Sequence, residues 1–348
     1  MSDDECIDEY NDIYSKLCQE AKDFLIIEEI ERIEKPTALE FYREYVSQNK
    51  PVIITGLLKD WKAYKEWSDD YLEKVMKDVE VTVSITNDGL ADAVKPINQN
   101  DQNSEKVFCK PFEKKIKFQE YIQHSKKPDN DEKLAYYIQY QNNSLNVEYE
   151  KLLNDIDESV IDFAKEAFGS NIDATNFWMG QDKSISSLHQ DPYENMYCVV
   201  RGTKIFTLLP PIDYPFLYKS EFPSASFVNV GNDDNIKLEI QIDKDPEINI
   251  PWIPVDPTEP LEKNIKLGYP LIGRAHPITV RVEAGEILYL PSLYFHRVAQ
   301  KSNKAIDGNS LSTIAINYWF DMKYGINYVY FQFLKETTKY QKQIKNKK

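Results

Sequence analysis

The chain contains four histidines, and two of them stand where a metal site would need them. His189-Gln190-Asp191 sets an imidazole and a carboxylate two residues apart, and His296 closes the downstream run Leu288-Tyr289-Leu290-Pro291-Ser292-Leu293-Tyr294-Phe295-His296. In an extended strand, residues two apart project to the same side, so His189 and Asp191 can reach one ion while Gln190 points away. The third ligand then has to come from a strand that is near in space only. Two imidazoles and one carboxylate hold non-haem Fe(II) on one face and leave the opposite face open to oxygen and a co-substrate. A His-x-Asp also arises by chance, and a lone histidine is usually packed or solvated. The other two fit those plain roles: His124 reads as a surface residue and His276, before Pro277, as a loop residue.

Lys204 is a second candidate. The β-rich runs 196–200 and 204–209, joined at Arg201-Gly202-Thr203, read as a hairpin that brings Lys204 back toward the metal strand. A buried ammonium needs an anionic partner, and a dicarboxylate co-substrate would supply one. Taken alone, a lysine beside a turn is more often exposed.

These groups need a β scaffold, and the pattern from Ala135 onward provides it as β-rich runs separated by turns, in the manner of a sandwich or barrel. Gly285-Glu286-Ile287-Leu288 reads as turn then strand, leading to His296. In the last strand Ala315, Asn317 and Trp319 share one face, and Ile314, Ile316 and Tyr318 the other. The first face is small and polar before Trp319, as a ligand cavity requires, although core packing accounts for Trp319 equally well. The Pro-rich, acidic stretch 210–277 reads as an insertion over one mouth of the barrel, or as a solvated surface loop. Residues 135–322 thus form the expected barrel.

Before it, residues 1–134 read as a helical and β elaboration. Residues 1–30 read as helical. Thr37 and Glu40 fit a capping box, with Leu39, Phe41, Tyr42, Tyr45 and Val46 continuing a helical pattern. Val79, Val81, Val83 and Ile85 alternate with polar residues, predicting a strand with one buried face, ended by Asn87-Asp88-Gly89. Residues 95–132 read as a long polar excursion with a short helix around Phe118, Tyr121 and Ile122. Residues 323–348 form an aromatic-rich helix and a basic tail.

Several separate segments carry a family likeness: Asn176-Phe177-Trp178-Met179-Gly180, Ser186-Ser187-Leu188-His189-Gln190-Asp191, Tyr193-Glu194-Asn195-Met196-Tyr197, Pro251-Trp252-Ile253-Pro254 and Ala315-Ile316-Asn317-Tyr318-Trp319-Phe320-Asp321-Met322. With Asn49-Lys50-Pro51-Val52-Ile53-Ile54 and Thr86-Asn87-Asp88-Gly89-Leu90-Ala91-Asp92-Ala93-Val94 nearer the N-terminus, the chain resembles, over nearly its whole length, the small lysyl hydroxylases of the JmjC branch of the 2-oxoglutarate-dependent oxygenases. The resemblance implies a double-stranded β-helix, or cupin-like jelly roll, with helices added. It implies Fe(II) on His189, Asp191 and His296, with 2-oxoglutarate and O2 as co-substrates and Lys204 pairing the distal carboxylate. By position in the matching motifs, Tyr137, Ser186 and Asn195 join Asn317 and Trp319 as cofactor contacts, with Tyr136 and Tyr140 as rivals to Tyr137. The implied reaction is C3 hydroxylation of a lysyl side chain in developmentally regulated GTP-binding proteins, and a homodimer through the C-terminal helix. The nearest rival is a JmjC histone N-methyl-lysine demethylase. A cupin without oxygen chemistry and a silent interaction protein rank lower, since all three ligands and Lys204 are present.

Composition narrows the partners. With 348 residues, 42% hydrophobic and 13% aromatic, the chain can bury a large core. A net charge of −15 argues against nucleic acid and suits a basic peptide. Four cysteines (Cys6, Cys18, Cys109, Cys198) show no C-x-x-C spacing, so neither a zinc module nor a disulfide framework is expected. An acidic N-terminus without a signal-peptide layout and no membrane-length apolar run lead to the expectation of a cytoplasmic, and also nuclear, protein.

Overall fold

The structure is a computed structural model, and it describes residues 14, 16–17, 19–23, 27–101, 103–126, 134–232, 235–302 and 312–346. Most of the helix expected over 1–30 lies outside the described residues. Positions 14, 16–17 and 19–23 are helical.

Eight strands build the barrel: β1 (Ala174–Gly180), β2 (Ile185–Gln190), β3 (Tyr193–Arg201), β4 (Thr203–Leu209), β5 (Ile278–Glu283), β6 (Ile287–Leu290), β7 (Phe295–Lys301) and β8 (Thr313–Asp321). Hydrogen bonds join β6-β3-β8-β1 in one sheet and β5-β4-β7-β2 in the other, the order of a double-stranded β-helix. The first sheet grows to nine strands by adding Arg32–Ile33 and Val52–Ile54 on one side and Ala135–Ile138, Glu80–Thr86 and Phe112–Lys117 on the other.

The expected hairpin over 196–209 is absent. β3 pairs with β6 and β8, whereas β4 pairs with β5 and β7, so Gly202 is a corner at which the chain changes sheets. Its φ of +74° suits glycine, and a Cβ there would fall 2.5 Å from the Thr313 hydroxyl oxygen. A β-rich pair of runs around a glycine reads the same for a hairpin and for a corner, because local sequence does not specify the partner strand.

The larger hydrophobic core lies outside the barrel. Phe177 and Met179 of β1, Cys198 of β3 and Ile314, Ile316 and Tyr318 of β8 turn outward to meet Phe41, Trp61, Leu72 and Phe163. The capping box is present: Thr37 Oγ1 accepts from the Glu40 amide at 3.2 Å, and Glu40 Oε2 accepts from the Thr37 amide at 2.9 Å. Trp178, Tyr197, Phe206, Leu208, Val298 and Ala315 point inward by the period-two alternation.

Three further expectations change. Glu80–Thr86 is buried on both faces beyond its first residue, since Thr82 donates its hydroxyl to Glu148 at 2.6 Å and Ser84 accepts from Gln139 at 3.3 Å. Polar residues with buried partners mimic a solvent face in sequence. The excursion 95–132 contains two strands, Lys106–Lys110 and Phe112–Lys117, besides the helix Phe118–Ser125. His124 is half-buried, stacked on Tyr136 with ring centroids 4.1 Å apart.

Between β4 and β5, strands Ser220–Asn229, Leu238–Ile242 and Asn249–Trp252 form a small sheet with Lys106–Lys110. His276 anchors the returning chain: its amide and ring Nδ1 lie 2.7 and 2.8 Å from the buried Asp213 carboxylate. The C-terminal helix Ile326–Asn346 buries Phe331 against Tyr214 and Phe295, but leaves Ile326, Val329, Tyr330 and Phe333 more than half exposed. Among the described residues, no helix is long and apolar enough to cross a membrane.

Candidate active site

β2 and β7 run antiparallel with His189 directly opposite His296, so the sheet register itself brings two distant imidazoles together. Their ring centroids are 4.1 Å apart. The register shifts between Ser186 and His189, a bulge-like irregularity that re-aims side chains beside a site. Asp191, just past β2, places Oδ2 3.7 Å from His189 Nε2 and 3.5 Å from His296 Nε2. One donor atom from each of the three residues lies within 4.8 Å of the others.

The donor set fits a metal. His189 Nδ1 is 2.7 Å from the Ser187 carbonyl and His296 Nδ1 is 3.2 Å from that of Tyr294. A carbonyl only accepts, so each Nδ1 carries the hydrogen and each Nε2 offers its lone pair toward Asp191, as metal-binding histidines do. Burial, helped by His296, pushes the His189 imidazolium down to about 4, keeping the ring neutral. Burial alone would raise the Asp191 carboxyl, but attraction to His189 and hydrogen bonding and attraction from His296, which act when those rings carry a proton on Nε2, hold it below the usual range.

Lys204 lies deeper in the same barrel. In the β4–β7 register Leu208 faces His296 and Lys204 faces Gln300, four residues or about 13 Å further along the strand. The side chain is fully buried, with Nζ donating to the Tyr137 hydroxyl at 3.1 Å and to the Gln300 side-chain oxygen. Both partners are neutral, and burial lowers the ammonium to about 7. The exposed alternative for Lys204 is therefore excluded. Tyr137 faces inward with its hydroxyl on Lys204, with Ser186 as a further partner. Tyr136 turns to the outer core, and Tyr140 lines the mouth.

The opposite sheet contributes amides at one level. Asn195, Trp319, Tyr197 and Asn317 are cross-strand neighbours on β3 and β8. Asn317 donates to Asn195 Oδ1 at 3.2 Å and accepts from the Trp178 indole at 2.8 Å. Trp319 stacks on Tyr193 at 4.7 Å, and its buried indole N–H has no protein partner. Gln300 had no place among the sequence candidates, and Tyr197, Trp178 and Trp252 stood in family-like segments without a site role. Period two could have found the first two, since Gln300 shares the face of His296 and Tyr197 that of Asn195. Trp252 lies in the insertion, where no periodicity marks a facing.

Above the triad, a cavity of 380 Å³ is lined by Asp92, Phe108, Tyr140, Ser187, His189 and Trp252 among others. The Trp252 indole N–H donates to Ser187 Oγ at 3.0 Å, and its ring lies parallel to that of His189 at 6.1 Å.

Residues 38–326 match the family model described as a cupin-like domain. The whole chain is 89% identical to JmjC domain-containing protein E of Dictyostelium discoideum, covering 99% of that protein. The chain belongs to the JmjC family. Two other relatives span most of this JmjC protein: lysine-specific demethylase JMJ32 of Arabidopsis thaliana, 38% identical over 91% of this chain and 89% of its own, and human bifunctional peptidase and (3S)-lysyl hydroxylase JMJD7, 36% identical over 87% of each. Members of this cupin-like family are typically Fe(II)- and 2-oxoglutarate-dependent, and the His-Asp-His set of this JmjC chain suits that metal.

Proposed function

We propose that the protein is an Fe(II)- and 2-oxoglutarate-dependent lysyl C3-hydroxylase acting on developmentally regulated GTP-binding proteins. The observation that carries the oxygenase part is the pairing of the triad at the mouth with the fully buried Lys204 in the interior. A dicarboxylate spanning the two would give the ammonium the charge partner it lacks in Tyr137 and Gln300. His189, Asp191 and His296 would hold the metal, Lys204 and Tyr137 would bind the distal carboxylate, and Asn195, Asn317 and Trp319 would border the co-substrate. Bound iron with 2-oxoglutarate supplies oxygen activation coupled to decarboxylation, which places one oxygen atom on an unactivated carbon. The chain's own part is to hold the target carbon near the metal and to exclude water from it.

Histone N-methyl-lysine demethylation is the alternative, as one relative is a lysine-specific demethylase and another a (3S)-lysyl hydroxylase.

The same reading includes a homodimer and a cytoplasmic, and also nuclear, location. Ile326, Val329, Tyr330 and Phe333 follow one helical stripe, and a second copy presenting the same stripe would cover it about a two-fold axis. Intact-mass analysis of GTP-binding-protein peptides after incubation with enzyme, Fe(II), 2-oxoglutarate and O2 tests the activity. Gain of one oxygen is expected. Loss of a methyl group from a methylated histone peptide, without that gain, overturns the hydroxylase reading.

A further inference from the structure

The cavity above the triad has a carboxylate that the metal does not use. Asp92 sits between the short strands Leu90–Ala91 and Ala93–Pro96 with a φ of +50°, and its carbonyl accepts the Ser187 hydroxyl at 2.6 Å. Ser187 in turn takes the Trp252 indole N–H, so Asp92 and the aromatic wall beside His189 are tied into one unit. Asp92 Oδ2 receives a long 3.5 Å contact from Gln139, another cavity residue, and Glu113 stands at the same cavity. The nearby cations are engaged elsewhere: Lys95 pairs with Asp88, and Lys110 pairs with Asp243 at 2.9 Å. Burial, with Glu113 adding repulsion, pushes the Asp92 carboxyl up to about 6 and outweighs the pull of Lys110, Gln139 and Lys95.

We infer that Asp92, assisted by Glu113, is the subsite for the ammonium of the substrate lysine, with the aliphatic stem lying along Trp252 between that carboxylate and the metal. This rests on the lysyl hydroxylase reading and specifies how the side chain is oriented. Anchoring the charged end beyond Trp252 places a carbon nearer the main chain at the metal, whereas a methylated nitrogen bound there would be held away from it. A partly buried carboxylate and an aromatic face suit an alkylammonium better than a neutral chain of equal length.

The test uses the full-length protein with Fe(II) and 2-oxoglutarate under nitrogen, and a peptide from a developmentally regulated GTP-binding protein with its central residue as lysine or norleucine. Binding is read by titration calorimetry. The wild-type protein is expected to prefer lysine by about tenfold. In Asp92→Asn, which keeps the backbone acceptor and a side chain tolerant of positive φ, the preference should shrink to about twofold. Glu113→Gln should give a smaller loss, and thermal melting checks that both variants fold. A lysine preference unchanged in both folded variants overturns the inference, as does its absence in the wild type. If that preference depends on Asp92 but admission of oxygen adds no oxygen to the peptide, the subsite stands and the hydroxylase reading falls.

Discussion

Affinity for 2-oxoglutarate should fall as pH rises from 6 to 8, because the free protein holds Lys204 close to half-charged at neutrality. The fully buried ammonium is lowered from 10.5 to about 7 by burial. At 1.36 kcal/mol per unit, that displacement represents roughly 5 kcal/mol against the charged form. A carboxylate arriving beside Nζ restores the charge, so binding takes up a proton wherever the free lysine is neutral. From a value near 7, about nine-tenths of the molecules carry the charge at pH 6 and about one-tenth at pH 8. The dissociation constant should therefore rise about tenfold across that interval, with proton uptake approaching one at pH 8. His189, already neutral above about 4, adds little over the same range. Anaerobic calorimetry on the Fe(II)-loaded protein, in two buffers of different ionisation heat, measures both quantities. Lys204→Met should bind far more weakly and lose the pH dependence. A flat dissociation constant with no proton uptake in the wild-type protein would refute this account of Lys204.

Asp191→Ala should remove most iron binding, measured by metal analysis after dialysis, since it deletes the donor shared by both imidazoles; retention of stoichiometric iron would reject the ligand assignment. Gly202→Ala should lower unfolding free energy by about 1–3 kcal/mol in denaturant titrations, from positive φ and collision with Thr313. Phe333→Glu should halve the mass measured by light scattering if two copies meet through the exposed helix stripe.

The chemistry was more legible than the topology. His189 and Asp191 could be paired from spacing alone, because a strand repeats every two residues. That His296 lies directly opposite His189 could not, since register is a property of two strands and the hydrophobic pattern of each is the same at several offsets. Lys204 had a locally bland context, and its burial followed only from the sheet change at Gly202. The jelly-roll class followed from the family likeness together with the succession of β-rich runs. The strand Glu80–Thr86 misled because Thr82 and Ser84 are polar yet buried, and their partners Glu148 and Gln139 lie more than fifty residues away. Asp92 lay in a family-like segment but had no spacing that marked a role: an acid after a turn is ordinary, and the parallel pairing of Leu90–Ala91 with β2 brings it to the mouth.

The placement of the main hydrophobic core outside the barrel separates what keeps this molecule folded from what it does. Outward-facing positions of β1, β3 and β8 lock the sheet to the N-terminal layer, while the alternating inward positions of the same strands line the chamber. Neighbours in sequence are thus under different constraints. An inward substitution changes the chamber without touching the contacts that hold the N-terminal layer, and an outward one does the reverse. Two relatives that span most of this chain are named for different activities, which such a division of a strand into two faces permits.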